Sequence, residues 1–275
     1  MTGRFLLSLI LLLTCWVDVS VSSFFGPSTK TAKIPTSQKD RDIQAISGVK
    51  AAITSPKSPS FPLVECEFPP LERLNKLGDG SLRSALEVEK ANLAFASKLT
   101  KSIAPVPFIG PKTWLLVSSA ASNSFLSSAR NAAGSSTVHS LKDGLPDVGE
   151  GDVCVFVTPS SRSDYEAAKR IASPGGAGAV VLVNGFAKDQ KSVPGSATMG
   201  YFLKPLTYNS QVVGYLARVY PGQWVTIDAI TNQVLSAYVD EEILVRGTNT
   251  PDLRQSGKIV QKSVDDRAIL ARKNN

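Results

Sequence analysis

The residues best placed to do chemistry lie in a short polar run, TPSSR, at 158–162. The run follows an apolar stretch typical of a buried strand and opens an amphipathic stretch typical of a helix. The free N–H groups of a helix N-terminus favour anions, Ser160 and Ser161 add hydroxyl donors, and Arg162 adds a cation. Thr158 ends the strand, and Asn184 is expected at the same edge of the sheet. These five residues predict a site for a phosphorylated small molecule. The alternative is a helix capped by serines beside a solvated arginine.

The run belongs to a strand–helix–strand unit. Its first strand is Val153–Val157, VCVFV, and its second is Ala179–Val183, AVVLV. Between them Tyr165, Ala168 and Ile171 recur at three-residue steps, so one face of the helix is apolar. A crossover this short predicts two parallel strands of one sheet with a right-handed connection.

The rest of the chain predicts a three-layer α/β fold in which C-terminal antiparallel strands extend a largely parallel, Rossmann-like sheet. Apolar runs predict strands at 61–68 and 113–117, and a long apolar stripe predicts a helix at 81–103. Period-two alternation then predicts four antiparallel strands, at 199–203, 212–220, 223–230 and 234–239. We therefore expect one domain over 61–240. A polar tail at 241–275 follows, with at best a weak terminal helix.

A second candidate site lies around the Pro-Gly turn at 221–222. Arg218, Tyr220 and Trp224 flank this turn. Aromatic residues and arginine are enriched at protein-binding hot spots, so these three residues predict an exposed surface that binds a partner protein. The alternative is that they pin the hairpin by packing across the strands.

The residue types that usually form catalytic, metal or cofactor sites are sparse. His139 is the one histidine, and it has no carboxylate or thiol close by in the sequence. Cys15 falls in the leader, while Cys66 and Cys154 fall in predicted strands, where a thiol usually packs as a small hydrophobe. The GGAG run at 175–178 follows a helix, whereas a dinucleotide loop precedes one. We therefore predict no catalytic residue, no metal and no cofactor.

The positive charge of the chain is concentrated in its N-terminal segment. The net charge is +7, but the first 60 residues hold seven Lys or Arg and three Asp, which gives +4, and the rest carries +3. A nucleic-acid-binding domain would need its basic surface on the folded part. The charge pattern therefore predicts no nucleic-acid partner.

The N-terminal segment has two parts. Residues 1–23 combine an early arginine, an apolar run and small residues, which predicts a signal peptide. Residues 24–60 are rich in Ser, Thr, Lys and Pro, which predicts a disordered, transit-like segment. With Phe24 at the junction, the pair resembles the bipartite presequences of algae with secondary plastids. We expect delivery to the plastid stroma and a site of action at the periphery of the thylakoid. The alternative is an ordinary secreted protein.

Four motifs carry a resemblance over about 61–239. They are VECEFPP at 64–70, the strand Val153–Val157 with its Thr-Pro end, VLVN at 181–184, and RVYPGQW at 218–224. The folded region resembles the plastid family called domain of unknown function 1995. The resemblance implies a plastid protein of plants or algae. One plant relative is an assembly factor for photosystem II, and in other relatives the domain is fused to adenylate kinase.

The family brings no active-site motif, so the resemblance assigns no catalytic residue. Together with the leader and the missing catalytic residues, it predicts a non-catalytic plastid protein that assists the assembly or maintenance of photosynthetic complexes, with photosystem II favoured. The expected partners are photosynthetic membrane-protein subunits. We expect no transmembrane span in the mature chain, so any membrane contact would be peripheral. The alternative function is an enzyme or regulator that binds a phosphorylated small molecule at 158–162.

Overall fold

In the computed structural model, which describes residues 33–70, 82–106, 110–186, 188, 192–244 and 249–273, nine strands form one sheet. The strands are β1 (Leu63–Glu67), β2 (Thr113–Val117), β3 (Thr137–Ser140), β4 (Val153–Val157), β5 (Ala179–Val183), β6 (Thr198–Tyr208), β7 (Gln211–Val219), β8 (Trp224–Asp228) and β9 (Val234–Tyr238). The helices are α1 (Gln38–Thr54), α2 (Leu82–Ile103), α3 (Asn123–Ala132), α4 (Arg162–Ile171), α5 (Asp240–Leu244) and α6 (Leu253–Lys273), with a short 3-10 helix at Leu141–Asp143.

The strand order is β3-β2-β4-β5-β1-β6-β7-β8-β9. The pairs from β3 to β6 are parallel, and those from β6 to β9 are antiparallel. Val153 is opposite Ala179 and Val157 is opposite Val183, so β4 and β5 are parallel neighbours in register. The predicted extension of a parallel sheet by antiparallel strands is confirmed.

The central strands β2, β4 and β5 are buried along their whole length. Apolar side chains point to both faces because helices cover both. One face packs against α1, α2 and α3, and the other packs against α4 and α6. The three-layer α/β class predicted from the sequence is therefore confirmed.

The prediction of a disordered segment over 24–60 is wrong for Gln38–Thr54, which forms α1. Ser37 caps this helix, and Ala45, Val49 and Ala52 are buried against the sheet. The buried face consists of small apolar residues and charged ones, so the hydrophobic periodicity that would reveal a helix is weak. The signal peptide predicted at 1–23 lies outside the described residues.

The polar tail predicted at 241–275, with at best a weak terminal helix, contains the long helix α6 at Leu253–Lys273. Val260 packs on the apolar face of β6 and β7, and Ser263 and Arg267 bond to the carboxylate of the buried Asp228. Burial raises the pKa of Asp228, but hydrogen bonds from Arg267 and two backbone N–H groups outweigh it and lower the pKa to about 2. Within the described part of the chain, no helix has the length and hydropathy of a membrane span.

Helix α1 lies directly on β6 because both elements have a glycine at the crossing. A Cβ atom on Gly48 would lie 2.3 Å from the carbonyl oxygen of Gly200, and one on Gly200 would lie 3.1 Å from the Cα of Val49. Glycine here removes a steric barrier that any larger residue would introduce.

A substitution at Gly48 can test whether α1 packs against β6 in solution. Alanine favours a helix interior over glycine, so propensity alone predicts that Gly48→Ala stabilises the protein. Because the added methyl group would overlap β6, we expect the free energy of unfolding in urea to fall by about 1–3 kcal/mol instead.

The matched control is Gly257→Ala in α6, where a Cβ atom would meet no atom within 4 Å. It should raise the free energy of unfolding by about 0.5–1 kcal/mol. Equal stabilisation by the two substitutions would show that α1 does not lie on the sheet in solution.

Candidate functional site

The run at 158–162 lies at the topological switch point of the sheet. The strand that follows β2 in sequence lies on one side of the β2–β4 pair, and the strand that follows β4 lies on the other side. From β2 the chain passes through α3 on one face, and from the neighbouring β4 it passes through α4 on the other. The carboxyl ends of such neighbouring strands form the crevice in which open α/β sheets usually bind ligands. The sequence therefore placed Ser160 and Ser161 at the correct edge of the sheet.

The chain's own carboxylate occupies this crevice. Asp164 is 0% exposed, and its Oδ2 accepts hydrogen bonds from the backbone N–H of Ser160 at 2.9 Å and of Ser161 at 3.0 Å. Ser118 Oγ donates to the same oxygen at 2.6 Å, while Ser119 donates its N–H and hydroxyl to Oδ1 at 2.9 Å and 2.8 Å. The backbone donors expected to bind a phosphate already bind Asp164.

The serines act as the capping alternative describes. Ser161 accepts from the N–H of Asp164 in a capping box, and the hydroxyls of Ser160 and Ser118 are 2.8 Å apart. Arg162 is exposed and lines a groove of about 440 Å³ together with Arg170, and Ser119 and Asp164 belong to the same lining. A phosphorylated ligand at this place stays a prediction, and these contacts give it no support.

A different cleft, of about 380 Å³, opens at the carboxyl ends of β4, β5 and β1 and beside residues 202–205 in the middle of β6. Two of the five predicted ligand-site residues, Thr158 and Asn184, line it, whereas Arg162 does not. Its other lining residues include Phe68, Val88, Asn92, Phe186 and Lys204. The structure thus divides the predicted set between two places, and the open cleft is the candidate functional site.

Thr158 and Asn184 both adopt the left-handed backbone conformation, with φ of 50° and 48°. Their N–H groups still donate across the sheet, to Val183 O at 3.0 Å and to Cys66 O at 2.8 Å. This conformation costs a β-branched residue such as threonine on the order of 1–2 kcal/mol. The two strands therefore end level with each other in a strained turn at the edge of the cleft.

A chain of side-chain hydrogen bonds holds this turn. Asn92 Nδ2 donates to Thr158 Oγ1 at 2.8 Å, Asn184 Nδ2 donates to Asn92 Oδ1 at 2.7 Å, and Phe68 N donates to Asn184 Oδ1 at 2.8 Å. Asn92 lies on α2 and is 1% exposed. Sequence reasoning missed it, although a polar residue on the apolar stripe of the predicted helix is an available signal.

One wall of the cleft is the Pro69-Pro70 segment that follows β1. Arg41 Nη1 donates to the carbonyl oxygens of both prolines, at 2.8 Å and 3.0 Å. The buried Asp42 accepts from Arg41 Nη2 at 2.6 Å and from Lys98 Nζ at 2.7 Å. Helix α1, absent from the sequence prediction, thus fixes this wall.

Lys188, in the segment after β5, forms ion pairs with two glutamates of β1. Its Nζ donates to Glu65 Oε1 at 2.7 Å and also to Glu67, which lines the cleft. Burial raises the pKa of Glu65, and the ammonium group of Lys188 partly offsets that effect. The contact joins β1 to the same side of the cleft as Phe186.

The residues around the Pro-Gly turn pin the hairpin, as the alternative for this site describes. The prediction of an exposed partner-binding surface is wrong for Trp224, which is 0% exposed and donates to Asp240 Oδ1 at 3.1 Å. Arg218 is also buried and forms a two-pronged ion pair with Asp240. Tyr220 is half-buried and donates to Ser55 O at 2.7 Å. These contacts join β7 and β8 to α5 and to the end of α1.

Cys66, Cys154 and His139 do not line the cleft or the groove beside Arg162. Cys66 and Cys154 are buried, and burial raises the pKa of both thiols, that of Cys154 to about 12. His139 Nε2 lies 2.9 Å from Gly144 O. Among the described residues, no group of three or more His, Cys, Asp or Glu is arranged to hold a metal ion.

Comparison with known proteins gives one match. A family model described as "Domain of unknown function (DUF1995)" matches residues 35–241. The matched region includes α1 and reaches the first residues of α5, so it begins well before the start expected at residue 61. No curated protein and no solved structure matches the chain.

Because the carboxylate of Asp164 is hydrogen-bonded in the crevice, we expect the free energy of unfolding to depend on pH in a specific way. Burial raises the pKa of Asp164, but the hydrogen bonds from Ser118, Ser119 and Ser160 outweigh it, so the pKa lies below its usual range. A carboxylate with a lowered pKa stabilises the fold above the pKa of the unfolded chain, and that stability is lost as the pH falls through the folded value. We expect Asp164→Asn to lower the free energy of unfolding at pH 7 by about 2–3 kcal/mol.

The difference between wild type and Asp164→Asn should narrow as the pH is lowered towards 3, as followed by urea unfolding at several pH values. The control is Asp147→Asn, which changes an exposed carboxylate. If Asp164→Asn and Asp147→Asn are equally stable at pH 7, the carboxylate does not seal the crevice.

Proposed function

We propose, from the premise that the chain belongs to the family described as Domain of unknown function (DUF1995), that it is a non-catalytic plastid protein that assists the assembly or maintenance of photosystem II. In this proposal it holds a segment of a partner protein in the cleft at the carboxyl edge of the sheet.

The observation that carries the proposal is a fixed, exposed aromatic residue on the rim of an open cleft. Phe186 is 69% exposed, yet its N–H donates to Pro159 O at 2.7 Å and its carbonyl accepts from Tyr165 Oη at 2.8 Å. Exposed apolar surface beside a groove is typical of a site where another protein binds. Because the backbone of Phe186 is already fixed, little further ordering of the main chain is needed for it to bind a partner.

The lining of the cleft suits binding. Phe68, Val88 and the two prolines offer apolar contact, and the amides of Asn92 and Asn184 are bonded to each other. Glu67 is paired with Lys188. These polar groups shape the cleft through contacts with one another, which favours a rigid binding surface.

The cellular part of the proposal is supported by the sequence. Residues 1–23 have the composition of a signal peptide, and the short segment between them and α1 is rich in Ser, Thr, Lys and Pro. The folded region resembles a family with a photosystem II assembly factor among its plant members.

The test is complementation of a strain that lacks the gene. We expect this strain to accumulate less photosystem II relative to photosystem I, and wild-type protein to restore the ratio. Phe186→Asp should fail to restore it, because a charge on the rim opposes burial of an apolar partner.

The matched control is Ile230→Asp, which changes a residue that is 74% exposed at the β8–β9 turn, outside the cleft lining. It should restore the ratio fully. Both variants should accumulate as folded protein with the circular dichroism of wild type. Normal photosystem II in the strain without the gene would refute the assembly role, and full rescue by Phe186→Asp would refute the role of the cleft.

A further inference from the structure

Strand β6 continues beyond the end of its parallel neighbour. It pairs with β7 from Tyr201 to Tyr208, but its pairing with β1 ends where Phe202 lies opposite Glu67. Among the described residues, no strand lies beside residues 203–208 on the β1 side. This part of β6 therefore has a paired edge and an open edge.

The sequence after Glu67 explains why β1 cannot continue. Continued in the same register, Phe68 would lie opposite Leu203, and the two prolines would follow. Proline has no N–H to donate to a neighbouring strand. Arg41 binds the carbonyl oxygens of Pro69 and Pro70 and so holds this segment towards α1. The open edge of β6 and the cleft are consequences of the same two prolines.

The antiparallel register shows which backbone groups face the gap. Tyr220 N donates to Gly200 O at 3.0 Å, so the peptide groups of the even-numbered residues of β6 face β7. The register is regular as far as Leu206, so the carbonyl oxygens of Leu203 and Pro205 face the β1 side. Pro205 offers no N–H, and this edge therefore mainly presents acceptors.

The walls beside this edge suit alternating side chains. Val88 of α2 and Phe68 line one part of the cleft, and Gly185 and Phe186, from the segment after β5, line another. Successive side chains of an extended segment point to opposite faces. A segment with apolar residues at alternate positions would fit between these walls while its backbone donated to β6.

We propose that residues 203–208 of β6 accept an extended segment of the partner protein as an added strand, which continues the sheet where β1 ends. This inference rests on the proposed function, since it assigns the binding mode of that same cleft. The segment spans about 20 Å, supplies backbone N–H groups to the carbonyl oxygens of Leu203 and Pro205, and has no proline at the donating positions. Its side chains at alternate positions are apolar.

The probe is a displayed library of random nonapeptides, selected against the full-length protein. The best binder is synthesised in three forms: unmodified, with N-methyl groups on the odd-numbered amides, and with N-methyl groups on the even-numbered amides. Only one edge of an added strand donates to β6. We therefore expect one methylated form to lose at least tenfold in affinity and the other to bind within about threefold of the unmodified peptide.

Two variants of α2 locate the binding. Val88→Asp places a charge in the cleft and should lower the affinity for the unmodified peptide at least tenfold, while Ala85→Asp, at an exposed position of the same helix, should leave this affinity unchanged.

Equal loss of affinity from both methylated forms would overturn the inference, because it indicates a bound helix or turn. Failure to select any peptide sensitive to Val88→Asp would also overturn it, as would a dimer of this chain that Val88→Asp dissociates.

The experiments distinguish failure of the assembly role from failure of strand addition. Asymmetric loss from the methylated peptides together with normal photosystem II in the strain without the gene would retain strand addition and refute the assembly role. A photosystem II defect that depends on Phe186, without strand-like peptide binding, would retain the assembly role and overturn strand addition.

Discussion

The buried ion pair between Arg41 and Asp42 is the interaction on which the cleft depends. Arg41 donates to Asp42 and to the carbonyl oxygens of Pro69 and Pro70, and its guanidinium group lies 4.3 Å from the ring centroid of Phe68. A buried charge is costly unless its donors are satisfied, and here the partners come from α1 and from the segment after β1. Lys98 adds α2 to the same cluster. Three parts of the fold are therefore fixed around the diverging end of β1.

The carboxyl edge of the sheet is thereby divided into a closed part and an open part. Between β2 and β4, where ligands usually bind, Asp164 takes the free donors at the start of α4 and seals the crevice. Between β1 and β6 the strands separate, and Asn92 and Asn184 hold the strained turn at the floor. Among the described residues, a crevice whose backbone donors are bonded to Asp164 therefore lies at the same edge of the sheet as an unpaired stretch of β6.

The sequence predicts those parts of the fold in which burial follows a simple period. The apolar runs of β2, β4 and β5 and the long stripe of α2 give the central layers correctly. Helix α1 was missed because its buried face mixes alanine, glycine and valine with Arg41, Asp42 and Gln44, so that burial does not follow hydrophobicity. Trp224 was expected at the surface because its partner, Asp240, is distant in sequence.

The sequence predicts only part of the candidate cleft, since Ser160, Ser161 and Arg162 lie outside its lining. The edge of the sheet and the residues Thr158 and Asn184 follow from strand ends alone. The role of Asp164 could have been recognised, since Ser161 and Asp164 have the spacing of a capping box. The open edge of β6 requires knowledge of strand order, which no local pattern in this chain provides. Burial of Arg41 likewise depends on contacts between elements far apart in sequence.

Photocrosslinking from the rim of the cleft can identify the protein that binds there in the cell. A benzoylphenylalanine residue replaces Phe186 in one version of the full chain and Ile230 in another, and each version is irradiated in the living cell. If the cleft holds a partner, the probe at 186 crosslinks to an extended segment of a photosystem II subunit, identified by mass spectrometry, and the probe at 230 does not. Crosslinks to the same subunit in equal yield from both positions, or none from 186, would contradict partner binding in the cleft.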